Sequence, residues 1–137
     1  MLNFYHMPAE WIASTAESNT VCFLNTYQMR NDSPKMQECM ERNAQVLTEC
    51  AVSNRPVAIE TIVRTICDSD MVVDRSLSTV LNLILYAGIF HNAHRYNYAT
   101  NTATVHLTAR DGYYYELTGK NNNGAYTWTY ERKKAGY

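Results

Sequence analysis

Residues 57–90 read VAIETIVRTICDSDMVVDRSLSTVLNLILYAGIF, and the spacing of their apolar positions predicts two short helices joined by a polar turn. The first, about residues 59–66, carries a stripe of Ile59, Ile62, Val63 and Ile66. Residues 67–74 form an acidic turn. In the second, residues 75–87, Asp74 is placed to act as N-cap, no Pro or Gly interrupts, and Gly88 stands where a left-handed C-cap is common. Leu77, Val80, Leu81, Ile84 and Leu85 recur at helical spacing, which predicts a packing face with Leu81 and Ile84 at the centre of the seam between the two helices. Arg75, Ser78, Thr79, Asn82 and Tyr86 fall on the other side, which is then free to touch a partner.

Working outward, residues 31–34 break the chain, with Ser33 as a helix cap and Pro34 at the first helical position. The helix that follows has a stripe of Met36, Cys39, Met40, Asn43, Val46, Leu47, Cys50 and Ala51 and ends at Ser53, Asn54 and Pro56. Its methionines and cysteines read as core groups rather than ligands or nucleophiles. Further upstream, residues 8–17 suggest a short helix with Trp11 and Ile12 inward, whereas residues 20–30 alternate well enough for a strand and stay ambiguous. Downstream of Phe90 a period of two takes over. Residues 95–98, 102–109, 113–117 and 125–132 are rich in Tyr, Thr and Val and predict an antiparallel meander. Asp111 and Gly112 predict a tight hairpin turn, and residues 120–124 a longer, mobile loop. Tyr113, Tyr114 and Tyr115, followed by Tyr126, Trp128 and Tyr130, place aromatics on both faces of the last hairpin. Such rows serve cross-strand packing, a protein-binding patch or a base-stacking platform.

These pieces resemble a known superfamily. Ser76, Thr79 and Val80 in the pattern S-x-x-T-V, the leucine-rich turn of helix after them, and then Gly88, Ile89 and Phe90 resemble the recognition helix and following strand of winged helix-turn-helix proteins, over about residues 57–117. Ala58 stands where the first helix of that pattern often has a hydroxyl cap, and the 67–74 turn is longer and more acidic than the compact form. The resemblance implies an α+β fold: a winged helix-turn-helix core of about three to four helices followed by an antiparallel β-meander. A chain of 137 residues has the usual size of one domain. We read 1–137 as a single domain, with an N-terminal extension at 1–34, a helical part at 35–90 and a β-hairpin wing region at 91–137.

The chain is 46% hydrophobic and 18% charged, a globular composition, with no apolar run long enough for a membrane span and no secretion signal at its start. Cysteines 22, 39, 50 and 67 form no C-x-x-C pair, so reduced thiols and a cytoplasmic location are expected. Net charge is −1, too little to coat nucleic acid by charge alone, but it is unevenly spread: residues 1–74 hold ten acids and five bases, residues 75–137 three acids and seven bases. There is no Gly-rich phosphate loop, no G-x-S-x-G elbow, and no cysteine with a recognisable histidine partner. His91, His94 and His106 lack a cysteine or carboxylate at metal-ligand spacing. We therefore expect no enzymatic activity, no cofactor and no metal.

Two functions are compatible with such a scaffold. The first is a sequence-specific DNA-binding transcriptional regulator that reads the major groove of double-stranded DNA with helix 75–87. Arg75, Ser76, Ser78, Thr79 and Asn82 would lie at the bases, and Arg95, Lys120, Lys133 and Lys134 at the phosphates. The second is a protein-binding module using Tyr114, Tyr126, Trp128 and Tyr130, such as a small viral inhibitor or adaptor of a host protein. The basic C-terminal half and polar helix face favour the first, which is the expectation taken forward. Homodimerisation through the first thirty or so residues stays open.

Overall fold

Three small polar side chains decide where the last three helices begin. In the computed structural model, which describes residues 7–28, 33–68, 70, 75–89 and 91–135, four helices precede four strands: α1 (Ala9–Gln28), α2 (Pro34–Ser53), α3 (Arg55–Ile66), α4 (Leu77–Tyr86), β1 (His91–Asn97), β2 (Thr102–Thr108), β3 (Tyr113–Asn122) and β4 (Ala125–Lys134). Ser33 Oγ accepts from Met36 N at 3.3 Å and Pro34 opens the helix, as the sequence predicts. Asn54 ends α2 and also starts α3, its Oδ1 accepting from Val57 N at 3.3 Å. The first helix of the pair therefore begins at Arg55 rather than near Ile59, and Ala58 is a buried residue of its first turn instead of a missing cap. Ser76 caps α4 by accepting from Thr79 N at 3.3 Å, which moves the helix start from Arg75 to Leu77. Asp74, read as that cap, lies outside the described residues. The other end of α4 closes as expected. Gly88 has φ 68°, its N–H donates to Leu85 O, and Ile89 N donates to Ile84 O, the paired bonds of a Schellman cap.

α1 runs unbroken to Gln28, through the described residues of the stretch that alternates like a strand. Ile12, Ala16, Thr20, Phe23 and Leu24 share its buried side. The Thr20 hydroxyl donates to the Ala16 carbonyl at 2.7 Å, so this polar group enters the core already satisfied. Trp11, read as inward together with Ile12, is 44% exposed, because neighbours on a helix point about 100° apart and only one can centre the stripe.

The strands form one antiparallel sheet in the order β1-β2-β3-β4. β3 continues through residues read as a mobile loop, and Asn123 and Gly124, with φ 55° and 94°, make a two-residue turn in which both are left-handed. Asn121 Oδ1 accepts from Gly124 N at 2.7 Å and closes it. The inner face of the sheet, Ala103, Val105, Leu107, Tyr115, Leu117 and Trp128, is buried in the same core as Ile59, Ile62, Val63 and Ile66 of α3, the helix that touches α1, α2, β3 and β4. The outer face is polar: Thr102, Thr104, His106 and Thr108 on β2 alternate with the buried residues, and Glu116 and Thr118 on β3 do the same. Four helices followed by an antiparallel meander constitute an α+β layout consistent with a winged-helix core.

The packing of α4 departs from the reading of its sequence. Thr79, Val80, Leu83 and Ile84 are buried, whereas Leu81 is half-buried and Leu85 is 69% exposed. Most of LSTVLNLILY is apolar, so periodicity admits two neighbouring stripes, and contact with α1 and α2 selects the one containing Leu83. Leu83→Ala is expected to lower unfolding free energy by about 2–5 kcal/mol and Leu85→Ala by less than about 0.5. Urea denaturation of the two variants checks this, and equal losses would return the buried stripe to Leu85.

Candidate interaction surface

A short set of hydrogen bonds places α4. Arg75 is buried just before it, and its Nη1 donates to the carbonyls of Ile66 and Asp68, the latter at 2.6 Å. Those carbonyls belong to the end of α3 and the residues after it, where helix geometry leaves acceptors without partners. The Arg75 carbonyl in turn accepts from Trp128 Nε1 at 2.6 Å. Trp128 is 3% exposed and pairs across the hairpin with Gly119. A Cβ at Gly119 would come within 2.7 Å of the indole, so the glycine is the floor on which that ring lies. Tyr126 stacks with the same ring system, with centroids 5.7 Å apart and planes 15° from parallel.

The residues read as base-reading are dispersed by this arrangement. Arg75 and Thr79 are buried, at 7% and 4% exposure, so neither is on a free face. Ser76 Oγ is committed to the cap of α4 and lies 3.0 Å from Thr79 Oγ1. Asn82 is half-buried, its Nδ2 donating to Tyr27 Oη of α1 at 3.0 Å and to the Ser78 carbonyl at 2.8 Å. Ser78 is exposed. What α4 presents outward is Ser78, Leu85 and Tyr86, with Leu81 and Asn82 half-buried among them, and it carries no charged side chain. Tyr86, 42% exposed, leans on the buried ring of Phe23 in α1, with ring centroids 5.8 Å apart.

The bases read as phosphate contacts lie elsewhere. Register places Arg95, Lys120 and Lys133 on the outer face of the sheet, turned away from the helices, and Lys134 one residue on at the end of β4. They do not flank α4. Lys133 is engaged with Glu116 Oε1 at 3.2 Å and Glu131 at 3.8 Å, and the other Glu116 oxygen meets His106 Nε2 at 2.9 Å. Of the tyrosines read as a protein-binding patch, Tyr114 packs on His106 from the outer face, while Tyr130, 38% exposed, sits near Tyr115 on the inner face. Trp128 is a structural group rather than an exposed anchor, because its indole N–H and its ring are both enclosed.

Burial pushes the Cys50 thiol up to about 11 and the Cys67 thiol up to about 12, so both stay protonated near neutral pH. Among the described residues, no group of three or more His, Cys, Asp or Glu is placed to hold a metal ion. No protein-family model matches the chain, and neither a curated protein nor a solved structure matches it.

Two outcomes follow from this geometry. Arg75→Met keeps the apolar stem but leaves the Ile66 and Asp68 carbonyls without their donor, at about 1–3 kcal/mol for the buried Ile66 carbonyl and less for that of the exposed Asp68. A urea midpoint equal to that of the parent would remove the clamp. The Lys133 and His106 bonds hold the Glu116 carboxyl below its ordinary value of 4.5. A lowered folded-state pKa gives stability that is present above the unfolded value and lost as pH falls through the folded one. Melting temperature should therefore fall more steeply below pH 4.5 in the parent than in Glu116→Gln, and parallel acid limbs would show the cluster to be energetically silent.

Proposed function

We propose that the protein is a protein-interaction module, and that the outward side of α4 receives its partner. The observation that carries this reading is the exposure of Leu85, 69%, and Tyr86, 42%, on a helix that has no charged side chain and whose preceding Arg75 is buried. A helix that enters the major groove needs cations and polar groups for phosphates and base edges. A helix that meets another protein needs desolvatable aliphatic and aromatic groups close together. Leu81 and Leu85 lie one helical turn apart with Tyr86 beside them, and Phe23 and Tyr27 of α1 support the same strip. The partner would present an apolar helix or loop, as a host protein does to a small inhibitor or adaptor.

Four free cysteines and the lack, among the described residues, of a helix long and apolar enough to cross a membrane agree with a cytoplasmic site of action. The competing reading, a regulator binding duplex DNA, draws on Ser78 and Asn82 of α4 and on the exposed Arg95, Lys120 and Lys134.

The two are separated by a photo-crosslinking residue placed at Leu81, with Leu85→Ser as the paired variant. Leu85→Ser should melt with the parent and lose a stoichiometric crosslinked protein, with an affinity drop of about 10-fold or more for an anchor residue. A duplex motif enriched from a random library, lost in Asn82→Ala and retained in Leu85→Ser, would establish the DNA regulator instead.

A further inference from the structure

Where α2 passes into α3, the turn between β2 and β3 and the C-terminal cap of α4 enclose a groove of about 370 Å³. Arg55 and Arg110 line it together with Thr48, Ala51, Pro56 and Ala109, and no Asp or Glu does. Arg55 Nε donates to the Thr108 carbonyl at 3.0 Å, which holds the guanidinium against the end of β2. Its Nη2 is nevertheless buried without a hydrogen-bond partner, and so is Thr108 Oγ1. Buried polar atoms are nearly always paired, and a charged donor left without an acceptor is the costlier kind. The orphan on Arg55, itself a lining residue, therefore borders the groove.

Arg110 brings the second guanidinium from a backbone position at φ 63°, a conformation a long side chain adopts at a cost. Neither arginine makes an ion pair among the described residues. Burial, and then the charge of Arg110, push the Arg55 pKa down, the mark of positive charge gathered without a counter-ion. Strain held at Arg110 and unpaired donors at Arg55 are the two features an anion in the groove would compensate.

We propose that this groove binds a small phosphate monoester, with the Arg55 and Arg110 guanidinium groups on the phosphate and Ala51, Pro56 and Ala109 against the organic group. A phosphate monoester carries about −1.5 to −2 charge at neutral pH, which matches two guanidinium groups where a single carboxylate leaves one uncompensated. Guanidinium forks bind such oxygens in pairs. The first turn of α3 lines the same groove and adds a positive helix end. The volume exceeds what the phosphate alone fills, and the apolar walls give the organic group a place.

The test titrates phenyl phosphate and inorganic phosphate into ¹⁵N-labelled full-length protein at constant ionic strength, with acetate and chloride as controls. Saturable shifts are expected at the amides of Val57, Arg110 and Gly112, at lower concentration for phenyl phosphate than for inorganic phosphate. Arg110→Asn keeps a residue that tolerates left-handed backbone and should weaken phenyl phosphate about 10-fold or more, the loss of one charge-assisted contact. Lys120→Gln, on the outer face of the sheet, removes one charge away from the groove and should leave binding unchanged. Absence of saturation, equal response to chloride, or equal affinity in Arg110→Asn would leave an adventitious ion only and overturn the site. Shifts at these amides from a short DNA duplex with none from phenyl phosphate would overturn it as well.

Discussion

The arginine at position 75 ties together three parts of the chain that share no regular hydrogen bonding. Its guanidinium supplies donors to the Ile66 and Asp68 carbonyls, and its own carbonyl takes the indole N–H of Trp128 on β4. The end of α3, the start of α4 and the last strand are thereby held at one point. A buried cation is expensive unless its donors are used. Here Nε stays without a partner, so the clamp secures the geometry more than it adds stability. Its second effect is on the surface: the charge of Arg75 is turned inward, and the helix itself carries none.

The sheet is shaped around the same contact. Trp128 can reach the Arg75 carbonyl because its ring lies flat over Gly119, where any larger residue would lift it by collision with its own side chain. Tyr126 stacks on that ring, and Tyr115 and Leu117 extend the covered face toward α3. The bases of the C-terminal half are left to the opposite face and to the strand ends. There Arg132 pairs with Asp111 at 3.2 Å and Lys133 with Glu116 at the same distance. A segment that is basic in sequence is thus partly neutralised within its own hairpins, and exposed pairs of this kind contribute little to stability.

The proposed role rests on how α4 is turned. A ten-residue helix with mostly apolar side chains cannot hide all of them behind two neighbours. Packing on α1 and α2 encloses Leu83 and Ile84 and leaves Leu81, Leu85 and Tyr86 at the surface. Such a strip suits another protein better than a phosphate backbone. The groove lined by Arg55 and Arg110 is a separate feature, formed where the β2–β3 turn meets the α2–α3 junction. Its charge comes from residues that lie 55 positions apart by number and share no motif, so no local pattern announces it.

Local sequence determined the elements and much of their limits. Ser33 with Pro34, Gly88, and the shift from a period of 3.6 to 2 after Phe90 act within a few residues, so their outcome can be read without knowing what packs where. Asn123-Gly124 is equally local, and was obscured by two preceding asparagines that extend the strand. Asn54 and Ser76 were readable as caps, yet the apolar stripe places the helix start later, near Ile59, and Asp74 lies nearby as a competing cap. What only the tertiary structure decided is which of two possible faces each apolar helix buries. α1 became one helix because Phe23 and Leu24 continue the stripe of Ile12 and Ala16 into the core, overriding its strand-like alternation. Arg75 went inward because the carbonyls that end α3 offered acceptors, a requirement set by a neighbouring helix. Alternation of polar and apolar residues records that a face will be covered; the choice between adjacent stripes is made by the neighbour that covers it, and that neighbour lies far away in the chain.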